Sequence, residues 1–332
     1  MRTTAIGLLL LLVACGSQQS REPTLADLDI VARDDSFALV RLKSGQDERD
    51  LARIFLGHPG QHWQIREVNA GVDAEVGEIV AVPLVPVNSS SVYTDGFRTL
   101  PILCYHQFTN ADEASHQLEL SAAAFEEQLR YLIDNDFVLL SFADVERILR
   151  EGQPIPERSA VITIDDGYRS VYDVAWPILK KYRAPATLFI YTDFIGAPAA
   201  MSWEQLREMA DSGFIEVESH AKSHASLSRL VDDKDKANYS RRVRDEIVGS
   251  NKAFERHMGQ VPSYLSYPYG NSSDTAARIA GEEGMALAAT VTRGDNTVYA
   301  DPYLLHRSMI YDSHSMSDFR KLLRVYRKQD LR

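Results

Sequence analysis

With 332 residues, 45% of them apolar and 25% charged, the chain has room for one large globular domain and one small one. Its formal net charge of −11 argues against a nucleic-acid partner and leaves no broad basic face for a membrane surface. No internal repeat and no low-complexity tract interrupts it.

The first segment reads as a processing signal. Arg2 precedes an apolar core from Ile6 to Val13, about eight residues long and too short to span a bilayer. The core ends Leu12-Val13-Ala14-Cys15-Gly16-Ser17, which resembles a bacterial lipoprotein box. That resemblance implies removal of residues 1–14 and acylation of Cys15, so that lipid chains alone hold the protein to a membrane. Gly16 and Ser17 lack the Asp of inner-membrane lipoproteins, which implies the outer membrane, facing the periplasm. Cys104 then has no partner for an intramolecular disulfide. It lies in the apolar run Pro101-Ile102-Leu103-Cys104-Tyr105-His106 and reads as core packing.

Residues 15–33 read as a polar tether, and residues 34–87 as a compact α+β module. Ser36 to Leu42 alternates like a strand, Glu48 to Leu56 places Leu51, Ile54 and Phe55 at helical spacing, and Gly57 closes that helix. A second helix covers His62 to Asn69 and a last strand Glu78 to Pro83, giving the order βααβ. The segments Leu51 to Gly57, Trp63-Gln64-Ile65, Asn69 and Gly77 to Pro83 resemble a LysM domain, a family that binds N-acetylglucosamine glycans such as peptidoglycan. Gln46-Asp47-Glu48 departs from that family's Gly-Asp-Thr-Leu opening, which belongs to its glycan-contacting loop. A spacer role without glycan affinity is the alternative.

Residues 88–97, with Asn88-Ser89-Ser90-Ser91, read as a linker. Residues 98–325 then alternate strands and helices. Helices are expected over Ser121 to Asn135, after the capping box Ser141-Phe142-Ala143-Asp144, and over Asp235 to Met258. Strands are expected over Ala160 to Ile164, Ala186 to Tyr191, Ile215 to Ser219, Ser263 to Tyr267, Leu287 to Val291 and Leu305 to Ile310. Such alternation predicts a parallel α/β sheet closed as a barrel, whose chemistry lies at strand C-termini.

Two carboxylates, Asp165 and Asp166, stand at the end of one apolar strand. Their mutual repulsion near a dry interior requires compensation, which a bound cation supplies. His220 and His224 follow a second strand about fifty residues later. One Asp with two His makes a three-ligand site for a catalytic divalent metal and leaves the other Asp free as a base. The ligand set points first to zinc and also accepts cobalt or manganese.

In order, Thr163-Ile164-Asp165-Asp166-Gly167-Tyr168, Ser219-His220-Ala221-Lys222-Ser223-His224 and Tyr267-Pro268-Tyr269-Gly270 resemble the motifs of carbohydrate esterase family 4, the NodB-homology polysaccharide deacetylases. The resemblance implies a distorted (β/α) barrel, with Asp165 as general base and Asp166, His220 and His224 as metal ligands. It also gives the Tyr269 amide as an oxyanion donor and Pro268 as part of the substrate-facing loop. Its general acid is a late His, for which His306 is the candidate. Ser266 stands where many members carry an Arg, and Arg307 is the candidate to supply the missing charge. The Pro101 to His106 run, with Asp165-Asp166-Gly167-Tyr168 and Tyr267-Pro268-Tyr269-Gly270, narrows the resemblance to the poly-N-acetylglucosamine deacetylase branch. That branch implies Tyr168 facing substrate and His106 near the pocket, either contacting substrate or simply hydrogen-bonded. Trp176, Trp203 and Tyr191 read as core. The function expected is N-deacetylation of an envelope N-acetylglucosamine polymer, either peptidoglycan or an exopolysaccharide. The alternatives are an inactive glycan-binding scaffold, or hydrolysis of O-acetyl esters or non-sugar amides.

Overall fold

The computed structural model describes residues 23–70, 74–85, 88–93 and 95–329. The signal segment and Cys15 lie outside the described residues.

The N-terminal module begins with a strand where a tether was expected. β1 (Asp29–Arg33) pairs antiparallel with β2 (Phe37–Arg41). Ile30 and Val31 favour extended backbone, and β1 covers an edge of β2 that would otherwise be open. α1 (Glu48–Leu56) starts at Asp47, whose side chain accepts from the Asp50 amide, and stops at Gly57 with φ 81°. α2 (His62–Val68) and β3 (Ile79–Pro83) complete the unit, the sheet running β1-β2-β3. Leu28, Val40, Leu51, Ile65 and Val82 fill its core. Asn69 ties α2 to β3: its amide donates to the Ile65 and Ala81 carbonyls and its carbonyl accepts from the Ala81 amide.

The module is packed against the larger domain. Arg49 pairs with Asp136 at 2.8 Å, and the Arg98 guanidinium lies 4.4 Å from the Trp63 ring centroid. The expected linker is partly structured too. β4 (Val92–Tyr93) and β5 (Gly96–Arg98) form a hairpin that later receives a strand from the C-terminus.

The large domain runs β6 (Ile102–Tyr105), β7 (Gln107–Thr109), β8 (Glu119–Ser121), α3 (Ala122–Asp134), β9 (Val138–Leu140), α4 (Phe142–Glu151) and β10 (Ser159–Asp166). It continues α5 (Trp176–Tyr182), β11 (Ala186–Ile190), α6 (Trp203–Ala210), β12 (Ile215–Ser219) and α7 (Lys236–Met258). β13 (Tyr264–Ser266), α8 (Asp274–Glu282), β14 (Leu287–Ala289), β15 (Ser308–Met309), α9 (Met316–Leu322) and β16 (Tyr326–Lys328) complete it, β16 being the strand that joins β5. The main sheet is parallel, in the order β14-β13-β12-β11-β10-β6-β15, with β9 beside β10. A parallel bridge from Ala289 to Leu305 brings its two ends together, making a distorted (β/α) barrel. Among the described residues no helix is long and apolar enough to cross a membrane.

Strand alternation sorts the side chains. On β10, Ala160, Ile162 and Ile164 face outward and pack with Leu129, Leu132, Leu179 and Leu206 of the surrounding helices. Val161 faces inward, with Ile102, Phe189, Leu287 and Leu305. Thr163 and Asp165 continue that inner face toward the strand C-termini, where the barrel interior turns polar.

β12 places Ile215 and Val217 among the outer side chains, so Glu216 and Glu218 point the other way. Glu216 accepts from the Phe142 and Ala143 amides at the start of α4 and from Thr187. Glu218 accepts from the Ser263 and Tyr264 amides at 2.8 Å each. Burial raises Glu218 to about 8, against those two amides and with help from Glu216 and Glu146. A carboxyl raised on folding keeps its proton while the unfolded chain loses one, so stability falls as pH rises between the two pKa values, roughly from 4.5 to 8. Glu218→Gln is therefore expected to raise the melting temperature at pH 8 and leave it nearly unchanged at pH 4.5. The gain is on the order of 4 kcal/mol at most. Thermal unfolding across that range checks it, and equal shifts at both pH values would contradict the assignment.

Candidate active site

The ends of β10, β12 and β13 meet the segment before β15. Asp165 is 1% exposed. Arg307 binds it with two N–H···O bonds of 2.7 Å, Nη1 to Oδ1 and Nη2 to Oδ2. The same guanidinium donates to Thr163 Oγ1, to Ser266 Oγ and, through Nε, to the Thr290 carbonyl. All five of its N–H donors are thereby used, as complete burial of an arginine requires. Ser266 Oγ donates to Asp165 Oδ2 at 3.1 Å, and Cys104 Sγ lies 3.6 Å from that oxygen. Burial alone would raise the Asp165 carboxyl. The Arg307 charge, then His220 and the Arg307 hydrogen bonds, outweigh it and hold Asp165 well below the usual carboxylate range. Asp165 is a fixed anion.

Asp166 occupies the other side of the strand end, with φ 76°. Its Oδ1 is buried without a hydrogen-bond partner, and His220 Nε2 and His224 Nε2 face it at 3.5 and 3.3 Å. The His220 Nδ1–H donates to the Ser266 carbonyl at 2.7 Å, which turns the Nε2 lone pair toward Asp166. Burial lowers the His220 pKa against the pull of both aspartates, which favours the neutral, ligating imidazole. Tetrahedral coordination with bonds of about 2.0–2.2 Å places donor atoms about 3.3–3.6 Å apart. The observed spacings match, so Asp166, His220 and His224 form a divalent-metal site.

Four non-glycine residues here hold a left-handed backbone: Asp166, Ala221, His224 and Tyr269 (φ 76°, 64°, 63° and 59°). Each costs of order 1–3 kcal/mol unless its surroundings enforce it, and such residues concentrate at functional sites. Tyr269 is 63% exposed, with its ring centroid 4.4 Å from that of His224. Pro268 is buried beneath the turn, so it shapes the loop rather than offering a face to substrate, contrary to expectation.

His106 extends the inner face of β6. It stands with Cys104 and Asp165, one donor atom of each lying within 4.8 Å of the others, and its Nδ1 is buried and unpartnered. Burial lowers its pKa while Asp165 and Asp166 raise it. His306 does not join them. Leu305 belongs to the inner core and Arg307 reaches Asp165, so His306 between them faces outward. Its backbone is bonded to the Asn296 side chain, and its ring lies where a Cβ on Gly294 would be. The expected general acid and the arginine partner are thus adjacent residues on opposite faces, and only Arg307 enters the site.

Tyr168 is half-buried and stands 5.2 Å from Phe194, which stacks on Tyr191 at 5.0 Å; Tyr191 in turn lies 4.9 Å from His224. Tyr191 therefore lines the site, where core packing was expected. Trp176 is core, against Phe214, and Trp203 is partly buried against the core at Phe254. Cys104 is buried as expected, with a thiol that burial pushes up, yet it touches Asp165. The cavity of about 470 Å³ between module and barrel, lined by His58, Phe137, Tyr182 and Phe214, contains neither the metal-site residues nor Asp165 and its partners.

Residues 152–288 match the family model described as polysaccharide deacetylase. Over that span the chain is similar to polysaccharide deacetylases. Two pieces of this deacetylase's site lie outside the matched residues: β6, with Cys104 and His106, and the Arg307 segment. YxkH of Bacillus subtilis is 29% identical over 231 residues, 70% of this chain and 78% of its own length. The poly-β-1,6-N-acetyl-D-glucosamine N-deacetylase of Staphylococcus aureus is 27% identical over 211 residues, 62% of this chain and 72% of its own length. The fold is shared with Streptococcus pyogenes deacetylase PplD, with a TM-score of 0.60 and 24% identity over 68% of this chain and 98% of that one. IcaB from Ammonifex degensii gives the same TM-score and identity over 69% and 97%. The deacetylase is a metal-dependent hydrolase.

Proposed function

We propose that this deacetylase removes acetyl groups from N-acetylglucosamine residues of a cell-envelope polysaccharide. The observation that carries this reading is the pairing of two unlike carboxylates: Asp165, locked as an anion by Arg307, beside Asp166, whose free oxygen completes the metal site. The Staphylococcus aureus relative, which acts on a β-1,6-linked N-acetylglucosamine polymer, supports the substrate class. So does the rim of Tyr168, Tyr191 and Tyr269, whose flat faces suit pyranose rings.

A metal held by Asp166, His220 and His224, zinc in this proposal, would polarise the acetyl carbonyl and lower the pKa of attacking water. Asp165 takes the proton of that water as its oxygen adds to the carbonyl carbon. The Tyr269 amide donates to the oxyanion. His106 hands a proton to the departing amine as the C–N bond breaks, the role first expected of His306. Asp165 and His106 end with one proton gained and one lost; acetic acid and a glucosamine amine leave, and the acid's own proton passes to the amine or to solvent to give acetate.

In this reading the N-terminal module is LysM-like and moors the enzyme to peptidoglycan, and acylated Cys15 anchors it in the outer membrane facing the periplasm. Acetate release by the chain lacking residues 1–19 tests the function, with insoluble peptidoglycan and soluble N-acetylglucosamine oligomers compared. Release is expected with metal and absent after chelation, and the better substrate identifies the polymer. No release from either by folded, metal-loaded protein would remove this reading in favour of a glycan-binding scaffold.

A further inference from the structure

His224 is the metal-site residue with the least local support. It lies beyond β12 in a stretch without helix or strand, at φ 63°. His220 is oriented by the Ser266 carbonyl, whereas among the described residues His224 has ring contacts to Tyr191, His220 and Tyr269 and its approach to Asp166. Its backbone must therefore be placed from elsewhere.

One face of α7 does this. The Glu246 carboxylate accepts from the Lys222 amide at 3.1 Å, the Ser223 amide at 2.8 Å and Ser223 Oγ at 2.6 Å. One turn along, Ser250 Oγ lies 2.8 Å from Ser219 Oγ, which accepts from the amide of left-handed Ala221 at 3.1 Å. Between them Gly249 lets the Lys222 stem lie on the helix, since a Cβ there would sit 2.5 Å from Lys222 Cδ. Positions 246, 249 and 250 share a helix face, so a single rigid element grips both sides of the loop joining His220 to His224.

We propose that Glu246 is a positioning residue that sets metal affinity by holding this loop, with no contact to metal or substrate. Groups that orient ligands in this indirect way are typically worth about 10–100-fold in affinity. The proposal rests on the metal-site reading. The two are separable: if wild-type enzyme binds no metal, or His220→Ala binds it as well as wild type, the site reading has failed and Glu246 with it.

The test is competition for Zn(II) between the full chain and a chromophoric chelator, together with the visible spectrum of the Co(II)-loaded form. Glu246→Ala is expected to weaken binding about 10–100-fold and alter the Co(II) band. Activity lost at limiting metal should return as metal is raised. Glu246→Gln keeps one acceptor oxygen and should fall between. Ser223→Ala removes only the hydroxyl contact, giving a milder version should Glu246→Ala not fold. Wild-type affinity and an unchanged Co(II) spectrum in folded Glu246→Gln and Ser223→Ala would overturn the proposal.

Discussion

Replacing Asp165 by asparagine is expected to lower kcat about 10²–10⁴-fold, the usual worth of a positioned general base. Metal content should stay at the wild-type level, because Asp166, His220 and His224 are untouched. The two aspartates are neighbours in sequence, but the barrel gives them different partners. Asp165 has both oxygens engaged by Arg307, while among the described residues the buried Oδ1 of Asp166 is faced by His220 Nε2 and His224 Nε2 at metal-ligand spacing. Asp166→Asn should accordingly fail in the opposite way, losing metal first. Asparagine at 165 also turns one donor toward Arg307 and leaves that buried guanidinium uncompensated, so a drop in melting temperature comparable to that of Arg307→Ala accompanies the loss of rate. Acetate release at saturating substrate, alongside metal analysis of both variants, separates the two roles. Near-wild-type kcat in Asp165→Asn would move the base elsewhere.

Arg307→Ala is the second large effect, and it reaches both stability and rate. Breaking a buried pair leaves one charge uncompensated and costs about 3–5 kcal/mol. The sign with pH follows from the direction of the shift. Asp165 is depressed in the folded enzyme, so its stabilising contribution is present above the ordinary carboxylate range and disappears as pH falls through its folded value. Without the guanidinium, burial dominates and the Asp165 pKa rises. The acid limb of kcat/KM should then move to higher pH, and rate at a fixed neutral pH should drop. Arg307→Lys keeps a charge but cannot reproduce the fork to Asp165 together with the Thr163, Ser266 and Thr290 contacts, so it should rescue only part of the loss. An unmoved acid limb in a folded Arg307→Ala enzyme would contradict this account.

The motifs were legible because each is contiguous and punctuates a strand. Asp165-Asp166-Gly167 closes an apolar run, and the chain itself sets which carboxylate faces inward. Long helices were equally legible: α7 begins at the Asp235 cap and ends at Gly259 with φ 75°, its buried Tyr239, Val243, Ile247 and Phe254 on one stripe. Short or edge elements were not. β1 is exposed along its whole length, so no burial pattern distinguished it from a tether, and only pairing with β2 makes it a strand. Glu246 and Ser250 carried no local signal beyond being polar on a helix, since their partners lie at the end of β12 and on the loop after it, more than twenty residues earlier.

The alternating fold, the metal ligands and the two carboxylates can be read from the chain directly, because local spacing and strand ends suffice to gather them. Only the packing of distant segments shows that Arg307 rather than His306 reaches Asp165, that Cys104 and His106 stand beside it, and that Tyr191 lines the site. The physical reason is the period of the strand. Neighbouring residues point to opposite faces, and the face that looks into the barrel is set by register with strands far away in the chain.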